Sequence, residues 1–333
     1  MGQSKYLTSM GTLRRKDNTL QYCRADKKDM HLPINDIKEI YCLAEINLNT
    51  KALEFMGRHN IIVHFFNYYG SYVGSFCPKD RYLSGKLLIQ QVRAFDIKRL
   101  KIAKSIVTGI GKNIYHTLAH YQKHGNTSVA ETMKFANKEL PKLLENCTSI
   151  PEIMQVEGEL WFKFYGTFNS FLNEDFVMNK RVKRPPDNPI NALISFGNSL
   201  LYTKVTTIIY NTHLDQRISF LHAPTERRYS LSLDLAEVFK PIVVFKTIFE
   251  LINRKQLKVT EHFEKKVNYC LLNEKGREIF ITAFEKRLGE TFEHSKLNRK
   301  VSYYTAIKLD CYKLIKEITE NRDFVPFNQK EKQ

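Results

Sequence analysis

The stretch KLLIQQVRAFDIKRLKIAKSIV, residues 86–107, marks the change in pattern that decides the fold. Its apolar residues recur near the helical period, with lysines and arginines between them: Leu88, Val92, Phe95, Leu100, Ala103 and Val107. We therefore predict that helices dominate from residue 81 onward. The candidate helices are 84–123, 127–147, 151–173, 189–211, 232–253, 275–291 and 302–320.

The chain before residue 81 has a different pattern. Short segments rich in Ile, Val, Tyr and Phe are broken by Asp-Asn, Asn-Thr and Gly, as in β-strands joined by turns. The most apolar of them is IIVHFFN, residues 61–67, which we expect to be a central strand. The prediction is an α+β fold. It has a small β-sandwich-like domain in residues 1–80, a larger all-α catalytic domain in 81–320 and a polar tail in 321–333.

The charge of the chain points to a polyanionic partner. Fifty-two Lys and Arg against 35 Asp and Glu leave a formal net charge of +17. Such an excess repels itself unless a polyanion offsets it, so nucleic acid is the leading candidate. The alternative is a basic soluble protein that simply carries its charge.

Cysteine usage and hydropathy indicate the cellular compartment that we expect for the protein. The six cysteines form no CxxC pair, which argues against a zinc site and against a disulfide scaffold and favours a reducing cytoplasm. No apolar run reaches the roughly 18 residues needed to cross a bilayer, and the N-terminus has no secretory pattern. We expect a cytoplasmic protein without a membrane partner.

One carboxylate falls on the aromatic face of a predicted helix. Glu157 lies four residues before Trp161 and eight before Tyr165, spacings that stack side chains on one helical face. A carboxylate there is costly unless a cation meets it. The alternative is a glutamate in the first helical turn, stabilised by the helix dipole.

Two further acids lie in LHAPTERRYSLSLDLAEVFKPIV, residues 221–243. Asp234 and Glu237 are three residues apart among apolar side chains, and His222 precedes them. The alternative is a capping box with Asp234 as N-cap. If instead both acids lie within a helix, they share one face. Oxygen ligands with one imidazole suit Mg²⁺ or Mn²⁺, and such an ion would supply the charge that buried acids need.

A stripe of uncharged polar residues marks the segment that begins near Pro189. Asn191, Ser195, Asn198 and Tyr202 recur at spacings of four, three and four, while Lys204 is the only charged residue from 189 to 210. Such a stripe favours the interior of a site, or alternatively hydrogen bonds between core helices.

Basic clusters alternate with these segments. They are Lys180, Arg181, Lys183 and Arg184; Arg227 and Arg228; and Lys296, Arg299 and Lys300. Such groups bind phosphates without reading bases, although each cluster alone could be a solvated surface patch. Together with the acids, they favour phosphodiester chemistry assisted by a divalent ion.

Several segments together resemble the CRISPR adaptation integrase, the Cas-one family, over the whole chain. They are Glu157-Gly158, RVKRPPDNPINALISFGNSLLY (181–202), FLH (220–222), RRYSLSLDLAEVFKP (227–241) and LIN (251–253). The resemblance implies that Glu157, His222 and Glu237 bind one Mn²⁺ or Mg²⁺, with Asp234 as a second acid beside the site. The last ligand is Asp in many relatives and Glu here. Supporting roles are implied for Asn191, Ser195, Tyr202 and Lys240.

The resemblance also implies an activity and partners. A 3′-hydroxyl of captured DNA would attack a phosphodiester at the leader–repeat boundary of a CRISPR array, with associated endonuclease activity. Family members are homodimers that flank a Cas-two dimer, and the β domain contributes to the dimer contact. The branch it resembles most is found beside interference systems called I-B. The alternatives are a metal-dependent repair nuclease and a non-enzymatic basic DNA-binding protein.

Overall fold

A computed structural model of the chain describes residues 2–24, 27–79, 82, 84–224, 229–294 and 297–329. The described residues of its first part hold eight strands and one α-helix. In chain order they are β1 (Gln3–Leu7), β2 (Gly11–Lys16), β3 (Thr19–Arg24), β4 (Lys27–Pro33), β5 (Ile37–Cys42), β6 (Ile46–Leu48), α1 (Thr50–Arg58), β7 (Ile62–Phe66) and β8 (Tyr72–Phe76).

These strands form two four-stranded sheets, ordered β1-β5-β7-β8 and β4-β3-β2-β6. Alternating apolar residues from both sheets and from α1 meet in one core, which includes Leu13, Leu20, Ile40, Phe55 and Val63. The predicted sandwich-like arrangement follows from this shared core. Strand β7 lies between β5 and β8, so the predicted central position of 61–67 is correct.

Helices dominate the rest of the described chain. They are α2 (Gly85–Lys123), α3 (Ala130–Lys134), α4 (Leu140–Asn146), α5 (Ile150–Gly166), α6 (Pro189–Tyr210), α7 (Ser230–Phe239), α8 (Lys246–Asn253), α9 (Val259–His262), α10 (Glu274–Gly289) and α11 (Tyr303–Glu320). A π-helix, Phe135–Glu139, joins α3 to α4, and another, Lys240–Phe245, joins α7 to α8. Helix α6 is apolar on nearly all sides and lies in the middle of the core, as expected for such a helix.

A buried ionic network joins the two parts of the molecule. Lys204 of α6 donates to Glu39 of β5 at 2.7 Å, to Ser4 of β1 at 2.6 Å and to Glu285 of α10 at 2.8 Å. Next to it, His64 of β7 lies 2.7 Å from the hydroxyl of Thr207 on α6. The first sheet is therefore held against the helices by directed bonds as well as by apolar contact.

The structure departs from the sequence prediction in several places. Helix α1 was not predicted, and two hairpins interrupt the domain expected to be all-α: β9 (Phe263–Lys266) with β10 (Tyr269–Leu272), and β11 (Thr291–His294) with β12 (Arg299–Ser302). Helix α5 ends at Gly166 rather than at residue 173. Leu88 and Val92 of the predicted apolar face are 38% and 48% exposed, because α2 instead buries Leu87, Gln91 and Ala94 there.

The predicted polar tail is also wrong over the part that the structure describes. Phe324 and Phe327 are each 2% exposed and belong to the main core, because the segment folds back onto α2 and α11. None of the described helices is both long and apolar enough to span a bilayer.

Candidate active site

Glu157 lies in the interior of α5. The helix begins at Ile150, so Glu157 is beyond the first turn, and the alternative of a dipole-stabilised first-turn glutamate is wrong. The residue is 9% exposed. The indole Nε1–H of Trp161, one turn later, donates to Glu157 Oε1 at 2.6 Å. This bond fixes the carboxylate on the aromatic face that the spacing predicted.

Glu237 stands where α7 changes into the π-helix. Pro241 has no N–H, so the carbonyl of Glu237 lacks its α-helical partner, and the chain widens into a π-turn at this point. Lys240 donates to Glu237 Oε1, and its ammonium lies 5.9 Å from the centre of the Trp161 ring. The turn thus places one carboxylate and one cation beside Glu157.

Asp234 points elsewhere and has another role. Its Oδ2 accepts from the backbone N–H groups of Phe220 at 2.6 Å and Leu221 at 2.9 Å. Its Oδ1 accepts from the backbone N–H of His222 at 2.9 Å and lies 2.9 Å from the ring nitrogen Nδ1. The carboxylate is fully buried, and it orients His222 from behind rather than sharing a target with Glu237.

The capping-box alternative for Asp234 is also wrong. Helix α7 begins at Ser230, with Tyr229 at the N-cap, so Asp234 is inside the helix. Because Asp234 Oδ1 accepts at Nδ1, the neutral ring of His222 carries its proton on Nδ1 and its lone pair on Nε2. The ring is held with a metal-binding nitrogen available.

The charges of these groups act on one another. Burial raises the pKa of Glu157, and the nearby Glu237 raises it further, to about 7, although Lys240 and the Trp161 hydrogen bond oppose this. Burial lowers the pKa of His222, but the hydrogen bond and charge of Asp234 outweigh it, so the pKa is raised overall. The carboxylates of Glu157 and Glu237 therefore repel each other and compete for nearby positive charge.

The fit of this donor set to a metal ion can be judged from its chemistry. Among the residues that the structure describes, no three His, Cys, Asp or Glu side chains are arranged as a cluster that could hold a metal ion. In place of a metal ion, the ammonium of Lys240 pairs with the carboxylate of Glu237. Two carboxylates and one free imidazole nitrogen nevertheless suit Mg²⁺ or Mn²⁺. The predicted ligand set of Glu157, His222 and Glu237 stays a prediction.

The polar stripe of α6 divides into two parts. Asn191 Oδ1 and Ser195 Oγ accept from the guanidinium of Arg181 at 3.0 and 2.9 Å. Farther along α6, the ring of Tyr202 packs edge-on against Tyr72 of β8, and its hydroxyl accepts from the backbone N–H of Tyr229. Asn191 and Ser195 thus bind the loop before α6 rather than another helix. Tyr202 instead packs where α6 contacts the first sheet.

Arg181 corrects the prediction of a surface phosphate-binding residue. It is half-buried, and its Nε has no hydrogen-bond partner. The same guanidinium lowers the pKa of Tyr165, although burial and the charges of Glu237 and Glu157 raise that pKa overall. Tyr165 therefore lies near the carboxylates, as its spacing from Glu157 predicts, and it interacts with Arg181, which the sequence pattern did not indicate.

The remaining basic residues differ in position. Lys180, Lys183 and Arg184 are exposed on the loop before α6, consistent with the predicted contact with DNA. Arg299 and Lys300 are exposed on β12. Arg227, Arg228 and Lys296 lie outside the described residues.

Comparison with known proteins decides the family. The family model described as CRISPR associated protein Cas1 matches residues 5–286. The chain belongs to the Cas1 family. A curated Cas1 relative, CRISPR-associated endonuclease Cas1 3 of Thermodesulfovibrio yellowstonii, is 45% identical over 325 residues, which cover 97% of this chain and 98% of the relative. The CRISPR-associated endonuclease Cas1 of Clostridium perfringens is 41% identical over 331 residues, 98% of each chain.

A solved Cas1 structure supports the same conclusion. The structure of a Cas1 protein from Thermotoga maritima is similar with a TM-score of 0.85 at 35% identity, covering 97% of this chain and 99% of that one. The predicted Cas1 resemblance and the α+β class, with strands first and helices after, are thereby confirmed. The assignment to branch I-B stays a prediction.

Proposed function

We propose that the chain is a DNA integrase and endonuclease of CRISPR adaptation that depends on a divalent metal ion. The observation that supports this proposal is that the chain belongs to the Cas1 family and that Glu157 interacts electrostatically with Glu237 and with His222, whose ring Asp234 orients. Curated relatives that match nearly the whole chain are named endonucleases. The reaction joins a DNA 3′-oxygen to a phosphorus atom, breaks one P–O bond and moves the proton to the leaving oxygen.

Glu157, Glu237 and His222 Nε2 would hold the ion, Mg²⁺ or Mn²⁺. When bound, such an ion stabilises negative charge on the phosphoryl oxygens. The chain's own groups prepare for it: Asp234 fixes the tautomer of His222, and Trp161 fixes the Glu157 carboxylate. Lys240 keeps the charge of Glu237 compensated.

The loop before α6 would bind phosphate groups beside this centre. Lys180, Lys183 and Arg184 are exposed there, and Asn191 and Ser195 anchor the loop through Arg181. Exposed cations on an anchored loop fit a DNA backbone. The partners we propose are prespacer DNA, the CRISPR leader–repeat, a second copy of this chain that meets it through residues 1–80, and a Cas-two dimer.

Metal titration tests the centre directly. We expect Mn²⁺ to bind the wild-type protein in calorimetry, and Glu157→Ala and His222→Ala each to weaken binding by at least tenfold. Glu159→Ala is the matched control, since Glu159 lies two residues away on the exposed side of α5 and pairs with Lys163. Equal Mn²⁺ affinity in all four proteins would exclude this metal site.

A strand-transfer assay separates the integrase from its rivals. We expect labelled DNA with a 3′-hydroxyl to become joined to a supercoiled plasmid that carries a leader and repeat when the Cas-two protein is supplied. Nonspecific cutting alone would favour a repair nuclease. DNA binding without any metal-dependent cleavage or joining would favour a non-enzymatic DNA-binding protein.

A further inference from the structure

The C-terminal segment, residues 324–329, lies against α7, the helix that carries the candidate metal ligand Glu237. The ring of Phe327 stacks on that of Phe239 at the end of α7, with centroids 5.5 Å apart and planes 14° from parallel. The backbone N–H of Phe327 donates to Asp310 Oδ2 of α11 at 2.8 Å. The segment is thus attached on one side to α11 and on the other to the end of α7.

Asn113 of α2 connects this segment to α7. It is fully buried, and all the atoms of its amide are used. Its Nδ2 donates to the carbonyl of Val238 at 2.8 Å and to the carbonyl of Phe327 at 3.0 Å. Its Oδ1 accepts from the backbone N–H of Gln329 at 3.0 Å. One side chain therefore bridges the C-terminal segment and the residue that follows Glu237.

The carbonyl of Val238 lies where the α-helix changes into the π-helix. Pro241 has no N–H to donate to the carbonyl of Glu237, and the chain continues as a π-helix from Lys240 to Phe245. Thr117, one turn after Asn113, donates to the carbonyl of Pro241 at 3.2 Å. Helix α2 therefore supplies donors on both sides of the turn that presents Glu237 and Lys240.

Close approach of the three elements depends on Gly109, one turn before Asn113. A Cβ at this position would come within 2.9 Å of Pro326 Cβ and 3.5 Å of Val238 Cγ1. The first distance is shorter than van der Waals contact, so a side chain would push the segment away from α2. The sequence thus provides both the space and the amide for the bridge.

We propose, on the basis of the function proposed above, that Asn113 is a positioning residue for Glu237. Its hydrogen bond to the Val238 carbonyl sets the direction of the π-turn, and the C-terminal segment holds the Asn113 amide in the orientation that this bond requires. Phe327 and Gln329, whose backbone groups bind Asn113, thereby take part in forming the metal site without contacting metal or DNA.

Asn113→Ala tests the proposal against a control that destabilises the same segment elsewhere. The control is Phe324→Ala: Phe324 is equally buried, but its backbone N–H is bound by Glu317 of α11. We expect Asn113→Ala to weaken Mn²⁺ binding by about tenfold or more in calorimetry, as loss of a group supporting a metal ligand does. Phe324→Ala should lower the unfolding temperature yet leave Mn²⁺ affinity within about twofold.

Hydrogen exchange measured by mass spectrometry gives a second readout that needs no metal. Backbone amides in residues 238–245 should exchange faster in Asn113→Ala than in the wild type, and unchanged in Phe324→Ala. If Asn113→Ala does not fold, Asn113→Leu, which has a similar shape but makes none of the three hydrogen bonds, takes its place with the same expected results.

The outcomes separate the two proposals. A folded Asn113→Ala protein with wild-type Mn²⁺ affinity and wild-type exchange at 238–245 overturns the positioning role. If the wild type itself binds no Mn²⁺, the proposed function fails. The exchange readout then decides alone: faster exchange at 238–245 only in Asn113→Ala supports the bridge, and unchanged exchange refutes it.

Discussion

Asp234 and His222 are joined at two points: one carboxylate oxygen, Oδ1, accepts from the backbone N–H of His222 and faces its ring Nδ1, each at 2.9 Å. The other oxygen binds the two preceding backbone N–H groups. A single buried side chain thus fixes the end of one loop, the orientation of a ring and the tautomer of that ring.

Asp234→Asn should therefore weaken metal binding without removing any ligand. An amide nitrogen cannot accept a hydrogen bond, so one side of the residue would face backbone donors that lose their partner. We expect a loss of about 10–100-fold in Mn²⁺ affinity and about 1–3 kcal/mol in the free energy of unfolding. Calorimetry and urea unfolding measure the two effects.

The control for this change is Asp215→Asn in the same loop. Asp215 also accepts from a backbone N–H, that of Arg217, and pairs with the Arg217 side chain. It should leave Mn²⁺ affinity unchanged. If Asp234→Asn also binds Mn²⁺ like the wild type, the orienting role assigned to Asp234 is wrong.

The metal-free protein should lose stability as the pH rises toward neutrality. The pKa of Glu157 is raised to about 7, so the folded state binds a proton that the unfolded state releases near pH 4.5. This contribution is complete below about pH 4.5 and is lost as the pH rises through about 7. Denaturant unfolding in the presence of EDTA, measured from pH 4.5 to 8, follows it.

Glu157→Gln should reduce the slope of stability against pH over the same range, because the amide does not titrate. His222, whose pKa is also raised, contributes in the same direction and would remain. Mn²⁺ affinity of the wild type should rise up to about pH 7, since the metal competes with the proton on Glu157. Identical slopes for wild type and variant would contradict the raised pKa.

Substitutions in the loop before α6 should distinguish residues that contact DNA from a residue that stabilises the fold. Replacing the exposed Lys183 and Arg184 with Ala should reduce the log–log salt dependence of DNA binding by about one unit per lost phosphate contact, with no change in unfolding temperature. Arg181→Ala should instead lower the unfolding temperature, because Asn191 and Ser195 lose their partner. Fluorescence anisotropy across a salt series and thermal scans measure these effects.

Exposed lysines elsewhere provide the control for that experiment. Lys138 and Lys142 lie around the start of α4. Replacing both with Ala removes two charges, as replacing Lys183 and Arg184 does. A salt slope that falls equally for both pairs would show a general charge effect rather than a DNA contact at the loop.

Lys204→Met should be among the most damaging single changes in the core. It leaves Glu39 buried without the ammonium that lies 2.7 Å from it, and breaking a buried pair in this way costs about 3–5 kcal/mol. Adding Glu39→Gln should recover part of the loss, because no unpaired charge remains. Urea unfolding of the two variants measures this, and no recovery in the double variant would contradict the ionic explanation.

Arg58→Met serves as the matched control for Lys204→Met. Arg58 pairs with Glu54 on α1 with both side chains largely exposed, so its removal should change stability little. A similar loss in both variants would point to an unrelated effect of methionine.

The sequence by itself determined the order of the domains, most helix positions and the residues of the candidate site. Periodicity gives the positions of α2 and α6, although not the buried face of α2, and the spacing of one turn between Glu157 and Trp161 indicates the candidate site. The motif around His222, Asp234 and Glu237 identifies the family, but it does not say what each acid does.

Tertiary structure decided the roles of those residues. Asp234 binds His222, whereas Glu237, one turn later on α7, pairs with Lys240, the first residue of the π-helix that follows. Arg181 belongs to a basic cluster of the kind found on protein surfaces, but its contacts are those of an interior residue. Residues 324–329 read as a polar tail, yet Asn113 and Asp310, far away in sequence, bind them in the core. Such bonds join residues more than ten positions apart, so no local pattern records them.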